Sequence, residues 1–143
     1  IARRKKADII YGSENLHLTM GRVSAEIYAQ PGLGTKDGNC LLMTFTQDNF
    51  DVLITGDADE KTENKLIKQV RLPDIELLVA GHHGSKYSTG NGLLEAVTPE
   101  TAVISVGENT YGHPNSEAME RLYSHGVDIY RTDIDGNITF RAE

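Results

Sequence analysis

A chain of 143 residues that is 38% hydrophobic and 24% charged has the size and balance of one folded domain, which excludes a disordered segment. Its net charge of -7 excludes a protein that grips nucleic acid by a basic surface alone, although a bound cation would reverse the field at a site whatever the overall balance. The lone Cys40 excludes a disulfide framework and a cysteine zinc knuckle, and no apolar run approaches the roughly 20 residues that cross a bilayer.

Taken in order, the chain opens on Ile1 rather than Met, as expected of a piece cut from a longer protein or of a processed product. Arg3, Arg4, Lys5 and Lys6 form a basic run that reads as a solvated terminus. Residues 16–20 and 23–29 alternate apolar and polar side chains around Gly21 and Arg22, which predicts a hairpin with His17 as a solvated strand residue on its polar side. Pro31, Gly32, Gly34, Asp37 and Gly38 mark 30–39 as a loop, and 40–46 and 50–55 read as a second antiparallel pair.

From Asp59 the period changes to helical. Asp59 and Glu60 suit the dipole of a first turn, Leu66, Ile67 and Val70 form an apolar stripe, and Pro73 stops the helix. Strands over 75–80, 102–106 and 127–130 then alternate with helices over 92–97 and 116–125, and a last strand is expected over 137–141. A βαβ alternation of this kind predicts an α/β fold with a largely parallel sheet, preceded by a meander. The chain reads as a single unit over 1–143, with meander strands within 8–55, βα units over 51–130 and the final strand over 137–141.

Three polar groups of metal-ligand type follow apolar strands: Asp57, the pair His82 and His83, and His113. Parallel strands joined by crossover helices place their carboxyl ends along one sheet edge, so these groups are expected to converge there. Each has a plainer role. Asp57 is placed to cap the helix that begins at Asp59. His82 and His83, flanked by Gly81 and Gly84, are expected to point to opposite sides, one into a site and the other into packing. His125 before Gly126 suits a helix C-terminus, and Ser85 lacks the Gly-x-Ser-x-Gly elbow of a hydrolase nucleophile.

Leu53-Ile54-Thr55-Gly56-Asp57-Ala58, Val79-Ala80-Gly81-His82-His83-Gly84-Ser85-Lys86, Ile104-Ser105-Val106-Gly107-Glu108-Asn109 leading to Tyr111-Gly112-His113-Pro114, and Tyr130-Arg131-Thr132-Asp133 with Asp135-Gly136 stand in that order. Together they resemble the metallo-β-lactamase-like domain of the ComEC DNA-internalisation competence family. The His-x-His-x-Asp-His signature of the wider superfamily does not occur in these residues, so the resemblance is to the C-terminal half of that domain.

The resemblance implies half of a metallo-β-lactamase-type αββα sandwich, a mixed sheet with helices on one face. It implies metal ligation by Asp57, His113 and His83, a catalytic role for His82 and His83, and a divalent metal, zinc or manganese, held weakly or not at all by this piece alone. It further implies a metal-dependent phosphodiesterase or nuclease domain linked to DNA uptake, with single-stranded or duplex DNA as substrate. Its partners in cis would be a missing N-terminal half-domain and a membrane channel, with the domain itself outside the cytoplasm or in a secreted stand-alone form. The alternative is a non-catalytic DNA-positioning or structural domain that keeps the fold. A half-domain is also expected to self-associate through the sheet face opposite its helices, lined by Leu53, Leu78 and Ile104 or their neighbours.

Overall fold

The structure, a computed structural model, describes residues 14–29 and 40–142 together with Lys5 and Asp8. The basic run apart from Lys5, the loop over 30–39 and most of 8–13 lie outside the described residues.

Alternation of side chains builds the first half as expected. Strands β1 (Leu16–Met20), β2 (Val23–Ala29), β3 (Leu41–Gln47) and β4 (Phe50–Ile54) pair antiparallel in chain order. Gly21 turns β1 into β2 at φ +64, a backbone state that glycine adopts without steric cost. Arg22 in that turn pairs with Asp48 in the β3–β4 turn, tying the two hairpin ends together.

Beyond β4 the connections become helical and the pairing parallel. Helix α1 (Glu60–Gln69) leads to β5 (Leu77–Val79), α2 (Asn91–Val97) to β6 (Thr101–Ile104), and α3 (Ser116–Ser124) to β7 (Asp128–Arg131). The sheet of the described residues has seven strands in the order β1-β2-β3-β4-β5-β6-β7, with β4 to β7 parallel. Right-handed crossovers in a strand order that never reverses put successive helices on one face. Leu66 of α1, Leu93, Leu94 and Val97 of α2 and Leu122 of α3 accordingly share one buried cluster with Leu42, Leu53, Leu78, Ala102 and Ile104 of the sheet.

That packing corrects one expectation. Leu53, Leu78 and Ile104 are fully buried beneath the helices and do not line the open face. Strand side chains alternate, so their neighbours Val52, Leu77 and Val103 lie on the opposite face, where Val52 registers with Phe45 and Leu77, Val103 registers with Val79, and Leu77 is itself buried beside Phe140. Through the β-partners Ile27 and Leu16, both half-buried, the apolar residues of this face continue to β1 past the buried Ala25.

The final strand expected over 137–141 is not formed. A short helix α4 (Thr132–Asp135) follows β7 directly, and the Asp135 carboxylate accepts the Arg131 backbone N–H at 2.7 Å, occupying a donor that a further strand would need. The tail then packs Phe140 edge-on against Tyr130, ring centroids 6.2 Å apart, beside Phe45, Val52 and Leu77. Alternation in 137–141 therefore reflects an apolar contact with the open sheet face rather than strand pairing.

Candidate active site

The carboxyl ends of β4, β5 and β6 lie side by side, and the loops that leave them carry the candidate residues. After Val79 the chain makes a single 3-10 turn, Gly81–His83, in which His82 (φ 48) and His83 (φ 55) both take the left-handed backbone region and Gly84 (φ 79) follows them there. Non-glycine residues in that region are strained, and the strain persists only where the surroundings over-determine it. Here the His82 N–H donates to the Gly56 carbonyl at 2.9 Å and the Gly84 N–H to the Gly81 carbonyl at 3.0 Å. The first of these bonds also sets the Asp57 turn against the histidine turn.

The left-handed turn overrides the strand alternation expected at this point. His82 and His83 do not diverge to opposite sides: their rings stand 6.4 Å apart, and His82 lies 5.5 Å from the ring of His113. Nδ1–H of His83 donates to the Ser105 carbonyl at 2.6 Å, which fixes the tautomer and leaves Nε2 with its lone pair. His83 and His113 also line a cavity of about 280 Å³ with Asn109, Tyr111 and Thr132. Burial, then the neighbouring His82 and His83, holds the His113 imidazole below its usual pKa, so it stays neutral further into the acid range.

His113 is positioned by Asn109, whose Oδ1 accepts the Tyr111 and His113 backbone N–H groups at 3.1 Å each, while its Nδ2 donates to the Gly107 and His113 carbonyls. The two histidine loops meet at Gly84. A Cβ there would lie 2.7 Å from Cβ of Pro114, and the Asn115 N–H donates to the Gly84 carbonyl at 2.9 Å. Gly84→Ala combines a left-handed backbone with overpacking, and it is expected to cost about 2–4 kcal/mol. The same change should push the His113 loop away, visible as altered imidazole shifts of His82 and His113 by NMR; unchanged shifts and stability would show that the loops are not locked through this contact.

Asp57 is exposed in the turn after β4. It does not cap α1: Asp59 does, accepting from the Thr62 backbone N–H at 2.9 Å and its hydroxyl at 2.7 Å. His17 pairs with Glu26 on the polar side of the hairpin, and Nδ1–H of His125 donates to the Arg121 carbonyl at 2.8 Å, closing the end of α3. Ser85 is buried and accepts the Tyr87 backbone N–H.

Two residues that sequence reasoning passed over anchor the histidine turn from behind. Glu63 of α1 is fully buried, and its carboxylate accepts the backbone N–H of Thr89 at 2.7 Å and of Gly90 at 2.9 Å. Thr89 in turn accepts the Gly81 N–H at 3.0 Å through its hydroxyl. Arg121 of α3 donates to the carbonyls of Lys86, Ser88 and Thr89. Nothing local marks either residue, since a charged side chain inside an amphipathic helix ordinarily faces water.

Chemically the cluster offers three imidazoles at one sheet edge, with the Asp57 turn tied to the histidine turn by the bond from the His82 N–H to the Gly56 carbonyl. Among the described residues, no group of three or more His, Cys, Asp or Glu stands close enough to hold a metal ion. The residues present therefore do not by themselves constitute a metal site.

No family model matches the chain. Three bacterial proteins are similar in sequence. ComE operon protein 3 of Bacillus subtilis is 31% identical over 112 residues, 78% of this chain. Competence protein ComA of Neisseria gonorrhoeae is 42% identical over 91 residues, 62% of the chain, and recombination protein 2 of Haemophilus influenzae is 40% identical over 88 residues, 61% of the chain. The chain belongs to the ComEC competence family. The matched segments span 14%, 13% and 11% of those ComEC-family proteins, so most of each lies outside the likeness.

Solved structures bear on the fold of this ComEC-family segment alone. The metallo-β-lactamase fold protein YhfI from Bacillus subtilis superposes with a TM-score of 0.54 at 10% identity, covering 89% of this chain and 53% of that one. The CmlA β-hydroxylase E377D mutant superposes at 0.57 and 9% identity, covering 87% of this chain and 32% of that one. The mixed seven-stranded sheet of the described residues, with its helices, is thus the metallo-β-lactamase fold in part, within the α/β class.

Proposed function

We propose that this chain is one side of a metal-dependent phosphodiesterase or nuclease domain that serves DNA uptake in natural competence. The observation that carries the reading is the convergence of His82, His83 and His113 on a strained turn at the carboxyl edge of the parallel strands, with His83 Nε2 left free by its bond to Ser105. The relatives named for competence and recombination point to DNA as the polymer handled.

In this reading Asp57, His83 and His113 would each contribute to a divalent-metal centre, zinc or manganese, that they do not complete among themselves and whose remaining ligands would come from the rest of the parent protein. When bound, such an ion supplies an activated water and neutralises charge on the phosphate. The chain's own contribution is to favour the neutral form of His113 by burial, to fix the tautomer of His83 through Ser105, and to place the His82 ring beside His113, where it could pass a proton to the departing oxygen.

The second reading, a DNA-positioning or structural domain without chemistry, draws on the shortage of metal-type donors among the described residues. Cleavage assays on the intact parent with single-stranded and duplex DNA separate the two. The first reading expects cleavage that a chelator stops and added divalent metal restores; DNA bound but uncut in the presence of metal would establish the second.

No helix of the described residues is long and apolar enough to cross a membrane. In this proposal the membrane channel is supplied by other parts of the parent, and this domain stands outside the cytoplasm. The open apolar face of β1 to β7 is the surface on which the missing half-domain would sit. In its absence the 143-residue chain is expected to pair through that face as a two-fold dimer. Light scattering should return about twice the monomer mass, and Val52→Lys or Val103→Lys should restore the monomer. A monomer before substitution would mean that the face is covered within the chain.

A further inference from the structure

Two tyrosines stand out into solvent beside the histidines, where core packing does not require them. Tyr111 is 84% exposed and Tyr87 67% exposed, and both border one groove of about 520 Å³ whose lining includes His82, His83 and His113. Exposed aromatic rings give up apolar burial, so their backbone setting bears on whether they are held for use. Asn109 fixes the Tyr111 segment through the Tyr111 N–H. Arg121 bonds the carbonyls on either side of Tyr87, and the Tyr87 carbonyl accepts the Glu60 N–H at 2.8 Å. Both rings are thus mounted on backbone that is pinned from behind.

Lys86 completes the groove. Its ammonium lies 5.1 Å from the centre of the Tyr87 ring, and it is the single Lys or Arg among the described residues that line the groove. Aromatic faces with one cation, in a chain of net charge -7, suit a ligand that offers flat π-faces and spaced phosphates more than one recognised by charge density. A duplex keeps its bases stacked on one another and presents no free face.

We infer that this groove binds single-stranded nucleic acid, with bases stacked on Tyr111 and Tyr87 and a backbone phosphate at Lys86 leading toward the histidine cluster. The inference rests on reading that cluster as a phosphodiester site and adds the strandedness of its ligand. Stacking accounts for most of the binding, so the affinity depends weakly on salt.

The test is fluorescence anisotropy of the 143-residue chain with a labelled oligothymidylate and with a duplex of equal length, in chelator so that cleavage does not enter. Tyr111→Ala and Tyr87→Ala are each expected to weaken single-strand binding roughly ten-fold, with Tyr111→Phe close to the unsubstituted chain. The slope of log affinity against log salt should be about -0.7, the value for one phosphate contact on a single strand, and should approach zero in Lys86→Ala. Equal affinity for duplex, indifference to the tyrosine substitutions, a slope of several units, or no binding at all would each overturn the inference. Cleavage by the parent that ignores both tyrosines would overturn the groove and leave the phosphodiesterase reading standing. Tyrosine-dependent binding with no cleavage under any metal would do the reverse.

Discussion

Replacing Asp57 by Ala in the intact parent is expected to abolish metal-dependent cleavage while leaving the fold undisturbed. The structural role that Asp57 had on sequence grounds, capping α1, belongs to Asp59, whose carboxylate accepts both the backbone N–H and the hydroxyl of Thr62. Asp57 itself is exposed, so its loss should alter stability by no more than about 0.5 kcal/mol. A drop in cleavage of at least about three orders of magnitude, equivalent to about 4 kcal/mol of transition-state stabilisation, would then be chemical in origin. Asp59→Ala provides the contrast: it should cost about 1 kcal/mol of stability as a lost cap and leave cleavage nearly intact. Measuring both variants by urea denaturation and by DNA cleavage decides the matter, and an active Asp57→Ala removes that carboxylate from the mechanism.

Glu63 should have the largest effect on stability. Glu63→Ala leaves the buried N–H groups of Thr89 and Gly90 without acceptors and opens a space under the histidine turn, an expected loss of about 3–5 kcal/mol. The carboxyl also carries a pH signature. Burial pushes its pKa from 4.5 up to about 7, against the opposing pull of its bonds to Gly90 and Thr89. The folded state then binds a proton more readily than the unfolded state, so this group's contribution to stability falls as pH rises from about 4.5 to about 7, by up to about 3 kcal/mol. His113 acts in the opposite sense. Its lowered pKa means that the unfolded chain binds protons more readily, so its contribution is present above pH 6.5 and is lost as pH falls through the lowered value. Comparison with Glu63→Gln isolates the carboxyl: relative to the unsubstituted chain, the variant should gain stability between pH 5 and pH 8. A difference between the two proteins that stays flat across that range would mean that Glu63 is ionised in the fold throughout.

Local pattern was enough for much of this architecture. Alternation in 16–29 and 41–54 specifies strands because period two puts every second side chain on one face, and the change of period at Asp59 specifies α1. That the His82–His83 loop and the His113 loop leave the same sheet edge was also legible, since parallel strands in an unreversed order bring their carboxyl ends together whatever lies between.

Tertiary structure decided the rest. Which side of each strand meets the helices depends on where the crossovers lie, so Leu53, Leu78 and Ile104 went beneath them and Val52, Leu77 and Val103 to the face opposite, a choice that alternation alone leaves undetermined. The left-handed turn that turns His82 and His83 into one cluster is held by Gly56 and Ser105, residues distant in the chain. The tail over 137–141 has a strand's pattern but lies across the sheet, because Asp135 takes the Arg131 N–H and Tyr130 offers Phe140 an apolar contact. Nothing in the local sequence marks Glu63 and Arg121, each a charge within an amphipathic helix. Only the folded chain supplies the unpaired N–H and carbonyl groups of 86–90 that draw these charges inward, and the bonds formed there offset their desolvation.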